Sequence, residues 1–333
     1  MRRLAIAVAV FCTGAMVFGR LVGAQGPVPP PWAYGFATPP GAPAPPVAPA
    51  PPAQDDGTAR RVPDSPLAFT LTQIRDGFGP ADWFPGDHPA MPEIVAHGKR
   101  PDVRACALCH YPNGKGRPEN AGVAGLPVSY FVQTMHDFRT GDRKSADSRK
   151  GNTNLMITIA KGMSDADIQS AAEYFGAMKW TPWIKVVEAA MVPRTRIAGG
   201  LFLKLPGTET EPIANRIIEV PDDTERSEVL RDPRSAFTAY VPPGSLRKGE
   251  ALVQGGGAGR TTACGVCHGA DLKGMGPVPG IAGRSPSYTV RQLFDIKSGA
   301  RKGQWSELMK PVVANLSNDD MLAIAAFTAS KMP

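Results

Sequence analysis

Apolar positions are unevenly spread along this chain of 333 residues. A first cluster runs from Leu4 to Gly19 behind Arg2 and Arg3, with the small residues Gly23 and Ala24 after it. That order of basic, apolar and small residues predicts an export signal over residues 1–24. The rival is an uncleaved N-terminal anchor, although the run is short for a bilayer span and is broken by Gly14 and Gly19. Residues 25–57 are dominated by Pro, Ala and Gly, a composition that buries little and predicts an extended or disordered arm. Trp32, Tyr34 and Phe36 interrupt it, either as a docking patch or as scattered aromatics on a loose arm. An N-terminal extension of mixed character follows over residues 58–90, with a short helix near Leu67–Ile74.

Further along, apolar residues recur at helical spacing. Ile168, Ala171, Ala172 and Phe175 form one stripe, and Met321, Ile324, Ala325 and Phe327 form another. Each follows a serine, Ser164 or Ser317, that suits an N-cap, and each first turn carries acids, Asp165 and Asp167 or Asp319 and Asp320, that suit the positive helix end. Val290, Leu293 and Phe294 place a middle helix over Ser287–Ser298, with a counterpart over Ser129–Thr140; Gly299 and Gly141 are the stops. Opening helices are expected over Pro92–Gly98 and Leu246–Gly255. Between these sets, residues 184–242 carry the turn signals Gly199-Gly200, Gly207-Thr208 and Pro221-Asp222-Asp223. Ile213–Val220 and Ala236–Val241 read as short strands there, and the remainder reads as an irregular connector.

The two sets of helices are copies of one module. An offset of 158 pairs Cys106 with Cys264, Cys109 with Cys267, His110 with His268, Gly125 with Gly283, Tyr130 with Tyr288, Asp137 with Asp295, Gly141 with Gly299 and Arg143-Lys144 with Arg301-Lys302. After a five-residue contraction, an offset of 153 pairs Met156 with Met309, Ser164 with Ser317, Asp167 with Asp320 and Tyr174 with Phe327. The predicted architecture is therefore mostly α: one helical domain over residues 91–183, a connector insert over 184–242 and a second helical domain over 243–333.

Composition changes this picture little. The formal charge of +7 falls to +4 once the signal and its three arginines are removed, and no basic helix or aromatic RNA-binding signature accompanies it, so nucleic acid is not an expected partner. The cysteines change it more. Cys12 lies in the signal, and the other four form the pairs Cys106-Ala107-Leu108-Cys109-His110 and Cys264-Gly265-Val266-Cys267-His268. Cys-x-x-Cys-His is the attachment sequence of c-type haem. Two thiols one helical turn apart both reach the porphyrin vinyl groups, and the adjacent histidine is held beneath the iron. A thioredoxin-like pair would want a βαβ pattern, which is missing. A Cys₂His₂ zinc site would want a second histidine at matched positions, and a Cys₄ site would leave both matched histidines unexplained.

His268 is the last histidine of the chain, so a distal ligand in the second copy is most simply a thioether. Met275 follows the haem motif too closely, Met332 is terminal, and Met321 sits in an apolar stripe where its partner is Ile168. Met163 likewise pairs with an apolar position, Leu316. Met309, expected in a loop before the last helix, pairs with Met156, and the repeat selects these two. His136 lies on the middle helix and corresponds to Phe294, so no common haem role is implied for it, while His88 and His97 have no partner histidines and are assigned loop or surface roles. Arg143-Lys144 and Arg301-Lys302 either meet haem propionates or a redox partner, or form solvated faces.

With its haem motif, Ile281-Ala282-Gly283, Tyr288, the run from Gln292 to Lys302, a methionine and Leu316-Ser317-Asn318-Asp319-Asp320, the second copy resembles the dihaem cytochromes of the cytochrome c4 type, within the class I cytochrome c fold. The first copy keeps Ala124-Gly125, Tyr130, Asp137-Phe138, Gly141, Met156, Ser164-Asp165-Ala166-Asp167 and Tyr174-Phe175. The resemblance covers the two modules, a little over half of the chain. It implies a His/Met axial pair at each of two haems and electron transfer in the periplasm. In that family a proline after the motif helps orient the proximal histidine. Pro279 resembles it, but the aligned residue in the first copy is Ala121, a departure expected to alter the surroundings of the first haem.

The expected protein is thus a periplasmic electron carrier with two covalent haems c. Cys106, Cys109, His110 and Met156 would hold the first, and Cys264, Cys267, His268 and Met309 the second, with His110, Met156, His268 and Met309 on the irons. It would carry electrons between a dehydrogenase or respiratory complex and a terminal oxidase or reductase, with peripheral membrane association left open. The alternative is a dihaem enzyme, or a haem subunit of a larger oxidoreductase complex.

Overall fold

Two helical units built to one plan flank a β-rich insert in the computed structural model of this chain, which describes residues 28–42 and 54–333. The expected export signal, with Cys12, lies outside those residues.

The first described element is a surprise for a Pro-rich arm. α1 (Pro31–Tyr34) is a single turn that starts on proline and ends at Gly35 in the left-handed region, φ 80°, the asymmetry expected from proline's fixed φ and glycine's freedom. Tyr34 is fully buried and donates its hydroxyl to Asp295 Oδ1 at 2.7 Å. Arg291 donates to the Ala33 carbonyl at 2.6 Å. One large ring with a satisfied hydroxyl anchors this stretch onto the second unit, so the expectation of an arm that stays extended or disordered does not hold here. α2 (Leu71–Ile74) opens with a Thr70–Gln73 capping box and packs with Val62, Trp83, Phe84 and Leu230 in a small core of its own.

The first unit comprises α3 (Glu93–Ala96), α4 (Cys106–His110), α5 (Val128–Thr140), α6 (Gly151–Gly162) and α7 (Asp165–Gly176). The α7 stripe of Ile168, Ala171, Ala172 and Phe175 is fully buried. Ser164 and Asp167 form a reciprocal capping box at its start, a feature typically worth ~1 kcal/mol. α5 stops at Gly141 with φ 80°.

The insert is more regular than its sequence suggests. β1 (Ile184–Glu188), β2 (Met191–Pro193), β3 (Thr195–Ala198), β4 (Leu201–Lys204), β5 (Thr210–Pro212), β6 (Ile218–Pro221) and β7 (Phe237–Val241) make one three-stranded sheet of order β1-β7-β6 and two two-stranded ribbons, β2 with β5 and β3 with β4. The expected strands overlap β6 and β7. β1 pairs with β7 in parallel, Ile184 opposite Phe237, a long-range pairing that no local pattern announces.

The second unit repeats the plan with α8 (Ser245–Gly255), α9 (Gly265–His268), the small ribbon β8 (Gly274–Met275) and β9 (Val278–Pro279), α10 (Pro286–Lys297), α11 (Lys310–Val313) and α12 (Asn318–Ala329). α12 is buried from Asp320 through Ala329, its alanines letting α8 and α10 pack closely. Gly249 of α8 lies where the helices meet: a Cβ there would sit 2.6 Å from the Phe327 Cβ and closer still to the Ala323 carbonyl.

The units meet through matched residues of both copies. Arg143 and Arg301 face each other across an antiparallel bridge, with Lys144 N–H donating to the Ala300 carbonyl and Lys302 N–H to the Asp142 carbonyl, both at 2.8 Å. Arg143 donates to the Tyr288 hydroxyl at 3.1 Å, and Arg301 donates to the Tyr130 hydroxyl at 2.9 Å. Both also reach Gln292 Oε1. The two arginines are only 6% and 8% exposed, so they hold a domain junction and are not solvated faces.

Candidate functional site

α4 and α9 each end on the histidine of a Cys-x-x-Cys-His motif. His110 Nδ1 lies 2.8 Å from the Ala121 carbonyl, and His268 Nδ1 lies 2.8 Å from the Pro279 carbonyl. A carbonyl can only accept, so Nδ1 carries the proton and the Nε2 lone pair is left for another partner. Burial lowers the pKa of both rings while the carbonyl bond opposes it, which favours the neutral, ligating form. The expected disturbance at Ala121 is absent from this contact: the acceptor is a backbone carbonyl, which alanine supplies as well as proline does.

Burial keeps the Cys106, Cys109 and Cys264 thiols protonated. Burial, helped by the neighbouring Cys109, pushes Cys106 up to about 12, burial pushes Cys264 up to about 11, and burial raises Cys109. No disulfide joins any of the four motif cysteines.

In the first unit Cys106, Cys109, His110 and Met156 line a single cleft whose empty space, open solvent included, is about 1250 Å³. Its walls are apolar, with Phe131, Met135, Phe138, Ile159, Met163 and Phe175. Arg143, Lys144 and Lys150 also line it. Lys150 is 3% exposed, and burial, reinforced by the Arg291 charge and opposed by Glu119, Asp147 and Asp295, lowers its pKa to about 7. Two thiols and a neutral imidazole, a thioether, apolar walls and basic side chains suit a flat apolar macrocycle that bears carboxylates. The donor chemistry therefore fits haem c.

Met156 sits within α6, half-buried against the first unit's core. Met309 ends a 3-10 turn, Gln304–Met309, and packs half-buried against the core that also holds Cys264. Met163 and Met321 are core residues, whereas Met275 and Met332 are exposed. The remaining histidines do not line the cleft. His88 pairs with Asp82 at 3.0 Å, His97 contacts the Phe78 carbonyl at 3.1 Å, and His136 lies 3.6 Å from Asp165 on the surface.

Several residues of the site carried no sequence signal. Asn120 donates to the Cys109 carbonyl at 3.2 Å and accepts from Asn152 at 2.6 Å. Arg284, from the second unit, donates to the carbonyls of Gly122 and Ala124. Arg231, from the insert, donates to the Leu108 carbonyl inside the first motif. A lone Asn or Arg far from a motif has no pattern by which to be found.

The cytochrome c family model matches residues 248–330. Cytochrome c4 of Pseudomonas aeruginosa is 38% identical over 227 residues, covering 67% of this chain and 81% of that protein. Cytochrome c4 of Azotobacter vinelandii is 25% identical over 246 residues, covering 72% and 89%. The thiosulfate dehydrogenase electron acceptor of Stutzerimonas stutzeri is 43% identical over 82 residues, 24% of this chain and 36% of its own length.

Proposed function

The chain belongs to the cytochrome c4 family of dihaem c-type cytochromes, and from that premise we propose that it is a periplasmic electron carrier with one covalent haem c in each helical unit, residues 91–183 and 243–333. Cys106 and Cys109 would form the thioethers of the first haem, and His110 and Met156 would hold its iron. Cys264, Cys267, His268 and Met309 would do the same for the second. The observation that carries this reading is the convergence of Cys106, Cys109, His110 and Met156 on one apolar cleft.

When bound, the haem supplies one-electron chemistry between ferrous and ferric iron. The chain supplies the rest. The Ala121 and Pro279 carbonyls fix the tautomer and orientation of His110 and His268 and raise the basicity of Nε2. Phe131, Phe138 and Phe175 give the first site apolar walls. Arg143 and Lys144 would offset propionate charge, and Lys150 would do so only once protonated. A histidine and a methionine that both hold the iron would occupy the places a substrate needs, which favours a carrier over an enzyme. The likeness to a thiosulfate dehydrogenase electron acceptor supports a dehydrogenase as the upstream donor, and a terminal oxidase or reductase would take the electrons onward. The N-terminal apolar run supports export, and no helix among the described residues is long and apolar enough to cross a membrane.

The test is a haem-stained denaturing gel with optical spectra of the native protein and of M156A and M309A. Two covalent haems are expected, and each substitution should remove the Met–iron near-infrared band of one haem only. A variant whose haem spectrum is unchanged would refute that ligand. Rapid cyanide binding by the native protein would move the reading from carrier to enzyme.

A further inference from the structure

The two attachment turns differ in what lies over them. In the first, Leu108, between the cysteines, is 7% exposed and Arg117 is 9% exposed. Their repeat partners in the second, Val266 and Met275, are 66% and 56% exposed, and Leu308, beside Met309, is 78% exposed. The cover on the first turn comes from outside the repeat. A helical turn at Glu225–Val229 and the residues that follow it to Ser235 lie against the first unit. Arg231 donates to the Leu108 carbonyl, and its guanidinium stands 5.7 Å from the Tyr111 ring centre. Arg117 donates to the Ser227 carbonyl at 3.3 Å and to Glu228 at 2.8 Å. Asn113 donates to the Pro233 carbonyl at 3.3 Å.

The N-terminal extension holds this segment from behind. The Trp83 indole donates to the Leu230 carbonyl at 2.8 Å, Leu230 joins Trp83 and Phe84 in one core, and Arg234 pairs with Asp87 at 2.7 Å. Trp83 is 1% exposed, so the layer is anchored by burial as well as by polar contacts. Among the described residues, no comparable layer covers Val266, Met275 and Leu308.

We propose that residues 225–235, backed by residues 58–90, form a fixed cover that closes the first haem site to outside redox partners, so that electrons enter and leave through the second unit. The proposal rests on the dihaem reading above. A partner protein meets the exposed turn at Val266, Met275 and Leu308. There a reduced one-electron donor would lose one electron to the haem held by the second unit, which would gain it. No bond and no proton moves. The first site then exchanges electrons with the second alone, across the junction of Arg143, Tyr288, Arg301 and Tyr130.

The experiment uses the oxidised full-length holoprotein. Proton NMR resolves the shifted haem methyl signals, assigned to each site by what M156A and M309A change. A neutral gadolinium chelate then reports which methyls solvent molecules can approach. The second-site methyls should broaden several-fold more than the first-site methyls, and the double variant E228Q/R231A should raise first-site broadening towards the second-site level. Equal broadening in the native protein overturns the proposal, as does selective broadening that the double variant leaves unchanged. If no covalent haem is present at all, the electron-carrier reading itself fails, and this proposal with it; that result is distinct from equal broadening of two haems that are there.

Discussion

Replacing Gly249 with alanine sets two rules against each other. Helix propensity alone says that Gly249→Ala, inside α8, should stabilise by ~1 kcal/mol. The packing says the opposite. The new Cβ would lie 2.6 Å from the Phe327 Cβ and closer still to the Ala323 carbonyl, and neither atom can be moved by turning a side chain about a bond. Overpacking of this kind costs ~1–3 kcal/mol, and a contact with backbone belongs at the upper end, so the net loss is about 2 kcal/mol. With a urea slope of ~2 kcal/mol/M, the midpoint of the second unit should fall by about 1 M. The assay follows the Met309-dependent band of the holoprotein in urea, so that the second unit is read separately from the first. Gly255→Ala on the same helix is the control, because a Cβ there meets nothing within 4 Å; its midpoint should hold or rise. If G249A unfolds at or above the native midpoint, or if both glycines respond alike, the close α8–α12 crossing is wrong.

Three further outcomes follow from buried charges and the docked arm. Asp320, its side chain 1% exposed, meets Lys248 and Arg260, each at 2.9 Å; burial would raise its pKa, but Lys248, the Ser317 N–H and Arg260 outweigh this and hold it well below the usual carboxylate range. That stability is present above the ordinary carboxylate pKa and is lost as pH falls through the lowered one, so D320A should flatten the acid limb of the stability profile and cost about 2 kcal/mol at neutral pH, more than D167A, whose carboxylate is 15% exposed. Lys150, at about 7 instead of 10.5, is neutral in the fold and charged in the unfolded chain between those values; stability therefore falls as pH drops from 10.5 to 7, and near pH 8.5 the native chain should take up close to one more proton on unfolding than K150M, measured by calorimetry in buffers of different ionisation enthalpy. Tyr34→Ala should free α1, so that limited proteolysis cuts near residues 28–42 of the variant and spares the native protein; equal resistance would refute the docking.

Much of this protein could be read from short-range pattern. Two thiols and a histidine within five residues state a haem chemistry without reference to the rest of the chain, and a fixed offset between Cys106 and Cys264 exposes the duplicated module. The α7 and α12 stripes and their Ser164 and Ser317 caps were visible because helical periodicity and capping act within a few residues. The tertiary structure decided what depends on distant partners. It placed Met156 inside α6, paired β1 with β7, and buried Arg143 and Arg301 between the units. It set Tyr34 of an unpromising Pro-rich arm against Asp295, and it brought Arg231 onto Leu108 across 123 positions. Local sequence carries the cost and preference of each turn, but a lone Tyr or Arg becomes structural only when burial and a hydrogen-bond acceptor are supplied by chain far away, and that choice is made by packing.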